Sequence, residues 1–326
     1  MSLPERVAII GFGEVGRILA HDLREAGVPT IAVFDTAFAI AGSGASQAAD
    51  RAPVVKCTDA VDAATGASFV ISAVTAGSAL DAARSVTPCI AGTFFLDLNS
   101  VSPSTKRAAA EAIDAAGGRY VEAAVMASVP PKRIRTPMLF GGRFAEDFLP
   151  LATALGFSAQ VYSSHLGAAS SVKMCRSIMI KGLEALTLEC MLTARAYGVE
   201  TDVLSSLADT LPHADWSQLA RYLIGRSLQH GKRRAEEMRE VARTVSEIGV
   251  APLLAAPTAQ RQDWAFEQAG LLPAGMVANS DLRGLLDGLL ELIGSAAVHA
   301  GAAEAVPQQG LGDGTLDGPG DLNLRG

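Results

Sequence analysis

Residues 6–16 read RVAIIGFGEVG, and this short stretch decides the fold. A run of small and branched apolar residues is followed at once by glycines at 11, 13 and 16. A helical pattern, EVGRILAHDLREAG, begins at Glu14 and carries Val15, Ile18, Leu19 and Leu23 on one face. Strand, glycine turn and helix in that order form the setting in which Gly-x-Gly-x-x-Gly holds a dinucleotide. Gly11 permits the tight turn, Gly13 lets the backbone approach a pyrophosphate, and Gly16 lets helix and strand pack closely. The helix start, from Phe12 through Glu14 and Val15, offers free N–H groups and the positive end of its dipole to the phosphates.

The next strand pattern, TIAVFD, ends on Asp35, about 20 residues past the glycines, where an acid accepts bonds from a ribose 2′-OH. A carboxylate there repels a 2′-phosphate, so NAD is expected in preference to NADP. The plainer use of Asp35 is to cap the turn that follows.

Outward from this unit, VVKC, SFVISAV, GTFFLDLNS, RYVEAAV and PMLFGG are further strand candidates separated by Ala-rich helical stretches. Continuous apolar strands alternating with helices predict a parallel sheet covered on both faces. From residue 166 to 197 there is almost no turn signal, and DVLSSLADTL, WSQLARYLIGRSL, KRRAEEMREVARTVSEIG, PLLAAPTAQRQDWAFEQAG and DLRGLLDGLLELIGSAAVHAGAA are all helical in pattern. The expected architecture is α/β: a doubly wound dinucleotide-binding domain over residues 1–164, then an all-α domain over 165–301 for substrate and dimerisation. The Gly/Pro/Asp-rich end, 302–326, predicts a disordered tail.

The totals exclude several classes of function. The 326 residues carry a formal net charge of −7, which disfavours a non-specific grip on nucleic acid or on an anionic membrane. No apolar run is long enough to cross a bilayer, and the N-terminus reads as a first strand rather than a signal peptide, so a cytoplasmic location is expected. Cys57, Cys89, Cys175 and Cys190 show no CxxC spacing and the five histidines are scattered, so free thiols and no metal site are expected.

Four stretches together resemble the β-hydroxyacid dehydrogenase family, which includes 3-hydroxyisobutyrate dehydrogenase and tartronate semialdehyde reductase, with 6-phosphogluconate dehydrogenase related. The first is the glycine loop. The second, Asp97-Leu-Asn99-Ser100-Val-Ser-Pro103, looks like the family's Asp-x-Ser-Thr-x-x-Pro loop. The third, Glu122-Ala-Ala-Val-Met126-Ala127-Ser128, stands in place of the substrate motif Asp-Ala-Pro-Val-Ser-Gly-Gly. The fourth, Gly167-Ala-Ala-Ser-Ser-Val-Lys173-Met-Cys-Arg-Ser177, matches Gly-x-Gly-x-x-x-Lys-x-x-x-Asn, whose lysine is the family's proton-transfer group. The helix following Gly167, with HGKRRAEEMREVA, is most similar to a poorly characterised 6-phosphogluconate dehydrogenase-like NAD-binding branch.

The resemblance implies a hydride transfer between a nicotinamide cofactor and a 3-hydroxy acid or related alcohol or carbonyl, with Lys173 as general acid/base and Ser177 beside it. It implies cofactor contacts from the glycine loop, Asp35, Val74, Thr75 and Asn99. Ser100, Met126, Ala127, Ser128 and Trp216 are implied to meet a small substrate, expected to be a carboxylate, and a homodimer is implied. The replacements at Met126 and Ser177, and Glu236-Glu237-Met238 where the family has Lys-Asp-Leu, argue against 6-phosphogluconate and 3-hydroxyisobutyrate themselves. Imine reduction and a non-catalytic dinucleotide-binding regulator are the alternatives. Retention of the lysine favours alcohol chemistry.

Helical spacing places Ser170, Ser177, Lys181 and Glu184 on one stripe with Lys173, and Val172, Cys175, Ile178, Met179, Leu183 and Leu186 around the rest. The expectation is a helix buried on its apolar sides, with the polar stripe as a cleft wall that runs out to surface. Burial of Lys173 lowers its proton affinity and suits exchange with a hydroxyl near neutral pH. Lys132, Arg133 and Arg135 read as a solvated loop, with substrate binding as the alternative, and His213, Asp215 and Trp216 as candidate pocket residues.

Overall fold

The computed structural model describes residues 3–210 and 215–303; the expected tail, apart from its first two residues, and His213 lie outside them. Eight strands form one sheet: β1 (Arg6–Ile10), β2 (Thr30–Phe34), β3 (Val55–Lys56), β4 (Phe69–Ser72), β5 (Phe94–Asp97), β6 (Arg119–Val125), β7 (Met138–Gly141) and β8 (Ala159–Ser163). Their order is β3-β2-β1-β4-β5-β6-β7-β8. Seven helices accompany them: α1 (Glu14–Glu25), α2 (Gly44–Arg51), α3 (Ala60–Ala64), α4 (Ala79–Ser85), α5 (Pro103–Ala115), α6 (Val129–Lys132) and α7 (Ala145–Ala154). The helical domain follows as α8 (Ala168–Ala196), α9 (Glu200–Thr210), α10 (Trp216–Glu247), α11 (Ala255–Leu271), α12 (Met276–Asn279) and α13 (Leu282–Ala303).

Alternation along the strands builds a core on each face of the sheet. On β1, Val7 and Ile9 join Leu19 and Leu23 of α1 and Phe148 of α7, whereas Ala8 and Ile10 join Ala63 of α3, Ala83 of α4 and Ile113 of α5. The strand order reverses at β1, which pairs with β2 on one side and β4 on the other, Ile10 lying opposite Phe34 and Ser72. A crevice therefore opens at the carboxyl ends of these strands, the usual place for a ligand in a doubly wound sheet.

The sheet departs from the expected all-parallel arrangement at one junction: β6 and β7 are antiparallel. The link between them holds only the four-residue α6 and a single 3₁₀ turn, too little for a crossover, so the chain returns alongside. The edge strand β8, AQVYS, was invisible to apolar patterning because exposed and half-buried residues alternate along it. In the helical domain, WSQLARYLIGRSL and KRRAEEMREVARTVSEIG join into one 32-residue helix, α10. Gly231, midway along it, does not break it. It lets α11 come close, since a Cβ there would stand 2.3 Å from the Gln262 carbonyl oxygen.

The largest correction concerns α8. Its polar stripe is the buried one: Ser170, Ser177, Lys181 and Glu184 face inward, against the sheet domain and against α10 and α11. Its apolar residues Met179, Ile180, Leu183 and Leu186 are exposed, Leu186 at 66 %. Buried ions are tolerated because each finds a partner on α10, Lys181 with Glu237 at 2.6 Å and Glu184 with Arg234 at 2.7 Å.

Candidate active site

The glycine loop fixes one wall of the crevice. Gly11 has φ +96°, a backbone conformation other residues adopt only with strain, and a Cβ would lie 2.3 Å from the Ala73 carbonyl oxygen. Gly16 packs against the turn itself, where a Cβ would meet the Gly11 carbonyl oxygen at 2.1 Å. Gly13 is different: a Cβ there would meet nothing within 4 Å. It caps α1 without a side-chain hydrogen bond, so the first N–H groups of the helix face open space, the cradle that a pyrophosphate requires.

Asp35 makes the capping contact considered for it and one more. Its Oδ1 accepts the Ala37 N–H at 2.8 Å, capping the 3₁₀ turn, and its Oδ2 accepts the Phe12 N–H at 2.7 Å. Each oxygen keeps a lone pair for a ribose hydroxyl. Phe12 thus contributes only its backbone to this region, because its side chain is buried and packs edge-on against Phe38. Beside Asp35 lies a cavity of about 370 Å³ lined by Gly11, Gly13, Thr36, Val74, Thr75 and Asp81 among others, with no lysine or arginine.

A second cavity, of about 270 Å³, adjoins it and is lined by Gly13, Glu14, Val15, Val74, Thr75, Asn99, Ser100, Ala127, Ser128, Lys173, Arg233, Glu236 and Glu237 among others. Asn99 ties its floor together: its side-chain oxygen accepts the Val74 N–H at 2.8 Å and its amide donates to Ser72 Oγ at 2.9 Å. Beneath Asn99, the fully buried Asp97 accepts the Asn99 N–H at 2.8 Å and the Tyr120 hydroxyl at 2.6 Å, and pairs with Lys106 Nζ at 3.0 Å. Burial, with the neighbouring Asp97, holds the Tyr120 hydroxyl well above its ordinary proton affinity, so it remains a donor.

Lys173 reaches into this cavity from the second turn of α8, and its Nζ donates to Ser100 Oγ at 2.5 Å. Burial lowers its pKa to about 8. Glu237 opposes that shift, while Lys181, Lys106 and Arg233 add to it. Glu237 lies at the meeting point of the cations. Burial works to raise its pKa, yet Lys181, Arg233 and Lys173 together hold it down to about 2, so it remains an anion. The arrangement is a titratable amine beside a hydroxyl, backed by a permanent carboxylate, in a cavity that adjoins the one beside Asp35.

Among the residues expected at the site, Glu14, Val15, Gly13, Val74, Thr75, Asn99, Ser100, Ala127, Ser128 and Lys173 line this cavity. Gly11 and Asp35 line the adjoining cavity, Phe12 and Gly16 pack within the glycine turn, and Ser177, Met126 and Trp216 line neither cavity. Ser177 is buried within the helical domain and accepts from Lys181 Nζ at 3.2 Å, its short side chain directed to that lysine rather than to the cleft. Met126 does not line the cavity; its N–H is spent on the Pro137 carbonyl as β6 turns away. Trp216 begins α10, 17 residues before Arg233, which is about 25 Å along a helix. Arg133 belongs to a surface contact with Asp22, whose carboxylate also accepts the Ile134 N–H at 2.9 Å.

Glu237, Lys181, Lys106 and Glu122 were missed as parts of the constellation. The i, i+4 spacing of Lys173, Ser177 and Lys181 was the available signal for Lys181. Glu122 and Glu237 fall within stretches matched to the family but were given no role there, and nothing local indicates Lys106; the partners of all three come from other elements.

Residues 6–161 match the NAD binding domain of 6-phosphogluconate dehydrogenase, and residues 194–265 match a domain of unknown function, DUF1932. The structure is similar to that of a conserved hypothetical protein from Sinorhizobium meliloti, at 34% identity and TM-score 0.67, over 89% of this chain and 97% of the other. It is also similar to the conserved protein MTH1747, of unknown function, described as structurally similar to 3-hydroxyacid dehydrogenases: 33% identity and TM-score 0.62, over 82% and 98%. In sequence, the 3-hydroxyisobutyrate dehydrogenase of Pseudomonas aeruginosa is 27% identical over 223 residues, 65% of this chain and 71% of that one.

Proposed function

Since the chain belongs to the β-hydroxyacid dehydrogenase family, we propose that it is a nicotinamide-dependent oxidoreductase acting on a hydroxy acid or a related small alcohol, with Lys173 as the proton-transfer group. The observation that carries this reading is Lys173 Nζ on Ser100 Oγ, beside the groove of the glycine loop. A nicotinamide, when bound, supplies the hydride chemistry. The chain's own residues do the rest. The first N–H groups of α1 and the carboxylate of Asp35 bind and orient the dinucleotide. Asn99 keeps the ends of β4 and β5 in register. Ser100 positions the substrate hydroxyl. Lys173 Nζ, when neutral, takes the proton from that hydroxyl and, when charged, returns it to the oxygen in the reverse direction. Glu237 stabilises the ammonium without accepting its proton. The test is turnover of a panel of hydroxy acids, aldehydes and imines with each cofactor. Tight cofactor binding without reduction of any of them would favour the regulatory reading, and turnover of imines alone would favour imine reduction.

NAD is favoured over NADP because Asp35 and Asp81 line the cavity at the ribose end and no cation does. Asp35→Asn is expected to weaken NAD binding about tenfold, the worth of one charge-assisted hydrogen bond, and to narrow the preference over NADP. Fluorescence titration with both cofactors checks this. A parent protein that binds NADP more tightly than NAD would refute the assignment.

A second copy of the chain is the proposed cover for the exposed apolar face of α8. Sedimentation of the full chain should give a dimer that Leu183→Arg converts to monomer. A monomeric parent would sink this. Among the described residues no helix is long and apolar enough to cross a membrane.

A further inference from the structure

Two buried carboxylates cross between the domains in opposite directions. Glu122, on β6 of the sheet domain, accepts the Gly167 N–H at 2.7 Å and the Ser170 N–H at 2.5 Å. Those N–H groups stand at the start of α8, one turn before Lys173. Glu240, on α10 of the helical domain, accepts the Ser102 N–H at 2.9 Å and the Thr105 hydroxyl at 3.0 Å. Those groups stand at the start of α5, just after Ser100. Glu122 is fully buried and Glu240 nearly so. Each domain thereby places a buried acceptor, and a negative charge, at a helix start of the other.

We propose that Glu122 and Glu240 are reciprocal positioning residues: from opposite sides they hold the α8 start that carries Lys173 and the α5 start that follows Ser100, and so fix the contact between those two side chains. This rests on the reading of Lys173 as the proton-transfer group. Neither carboxylate lines the cavity, so neither touches substrate or cofactor. Either one alone leaves one half of the contact free to drift. Loosening admits water to the amine, and the desolvation that lowers its proton affinity is relieved.

The charged groups facing Lys173 are Glu237 and Arg233 from α10, Lys181 from α8 and Lys106 from α5; all of them remain in a Glu240→Gln variant. The experiment is therefore the pH dependence of Lys173 labelling by an amine reagent, read by peptide mass spectrometry on the full chain without substrate. The parent should label with a midpoint near pH 8, and Glu240→Gln with a midpoint at least one unit higher, with Glu122→Gln moving in the same direction. Thr105→Val, which removes one of the two bonds to Glu240, should give a smaller shift and covers the case in which a glutamate variant does not fold. Melting temperatures that fall while the midpoint stays put would reduce the two carboxylates to plain structural caps and overturn the proposal. Because labelling needs no turnover, an inactive parent would count against the oxidoreductase reading and leave the positioning result legible.

Discussion

Lys173→Ala should lower kcat for alcohol oxidation by about a hundred- to ten-thousand-fold, the range for loss of a positioned acid/base. That corresponds to about 3–5 kcal/mol of transition-state stabilisation. Cofactor affinity should change little, because the proposed phosphate and ribose contacts come from the glycine loop and Asp35 rather than from α8. The pH profile gives the sign independently. Oxidation requires the neutral amine, so kcat/KM for the alcohol should rise with pH through a midpoint near 8, the value burial imposes on Lys173. Reduction requires the ammonium and should fall through the same midpoint. Steady-state kinetics in both directions check this, and turnover undiminished in the alanine variant would remove Lys173 from its role.

Asp97→Ala should be the most damaging single change to stability. It leaves the buried ammonium of Lys106 on the Asp97 main-chain carbonyl without its counter-charge, and the buried hydroxyl of Tyr120 without its acceptor. Breaking one side of a buried pair costs about 3–5 kcal/mol, whereas removing both charges together is far milder. Asp97→Ala with Lys106→Met should therefore recover much of the loss. Urea denaturation of the full chain compares the three proteins. A single variant as stable as the parent would show that Lys106 finds another partner. Because Asp97 also accepts the Asn99 N–H, weakened cofactor binding should accompany the lost stability.

The sheet domain was legible for local reasons. RVAIIGFGEVG contains strand, turn and helix start within eleven residues, and β1 to β7 advertise themselves as apolar runs. What escaped was set by partners distant in sequence. The inversion of α8 could not be read from its own periodicity, because a stripe of Ser, Lys and Glu is outward-facing by default. Partners more than 40 residues on, Glu237, Arg234 and Gln262, make burial of that stripe tolerable. The same holds at the site. Lys173 was identifiable from a local match, but the pairing of Glu237 with Lys181 was not. Ser177 was expected beside Lys173, but the spacing that places it one turn from Lys173 also places it one turn from Lys181, and its hydroxyl accepts from Lys181.

The glycine at position 141 ties its own replacement to that of another residue. It lies on β7 opposite Glu122, and a Cβ on it would stand 2.8 Å from the Glu122 carboxylate oxygen. A side chain can enter at 141 only if the acid at 122 shortens, as aspartate would, or withdraws from the α8 start. Position 141 is therefore free to change only together with position 122. Drift in a strand remote from the cofactor groove is constrained by where an amine must stand on a helix of the other domain.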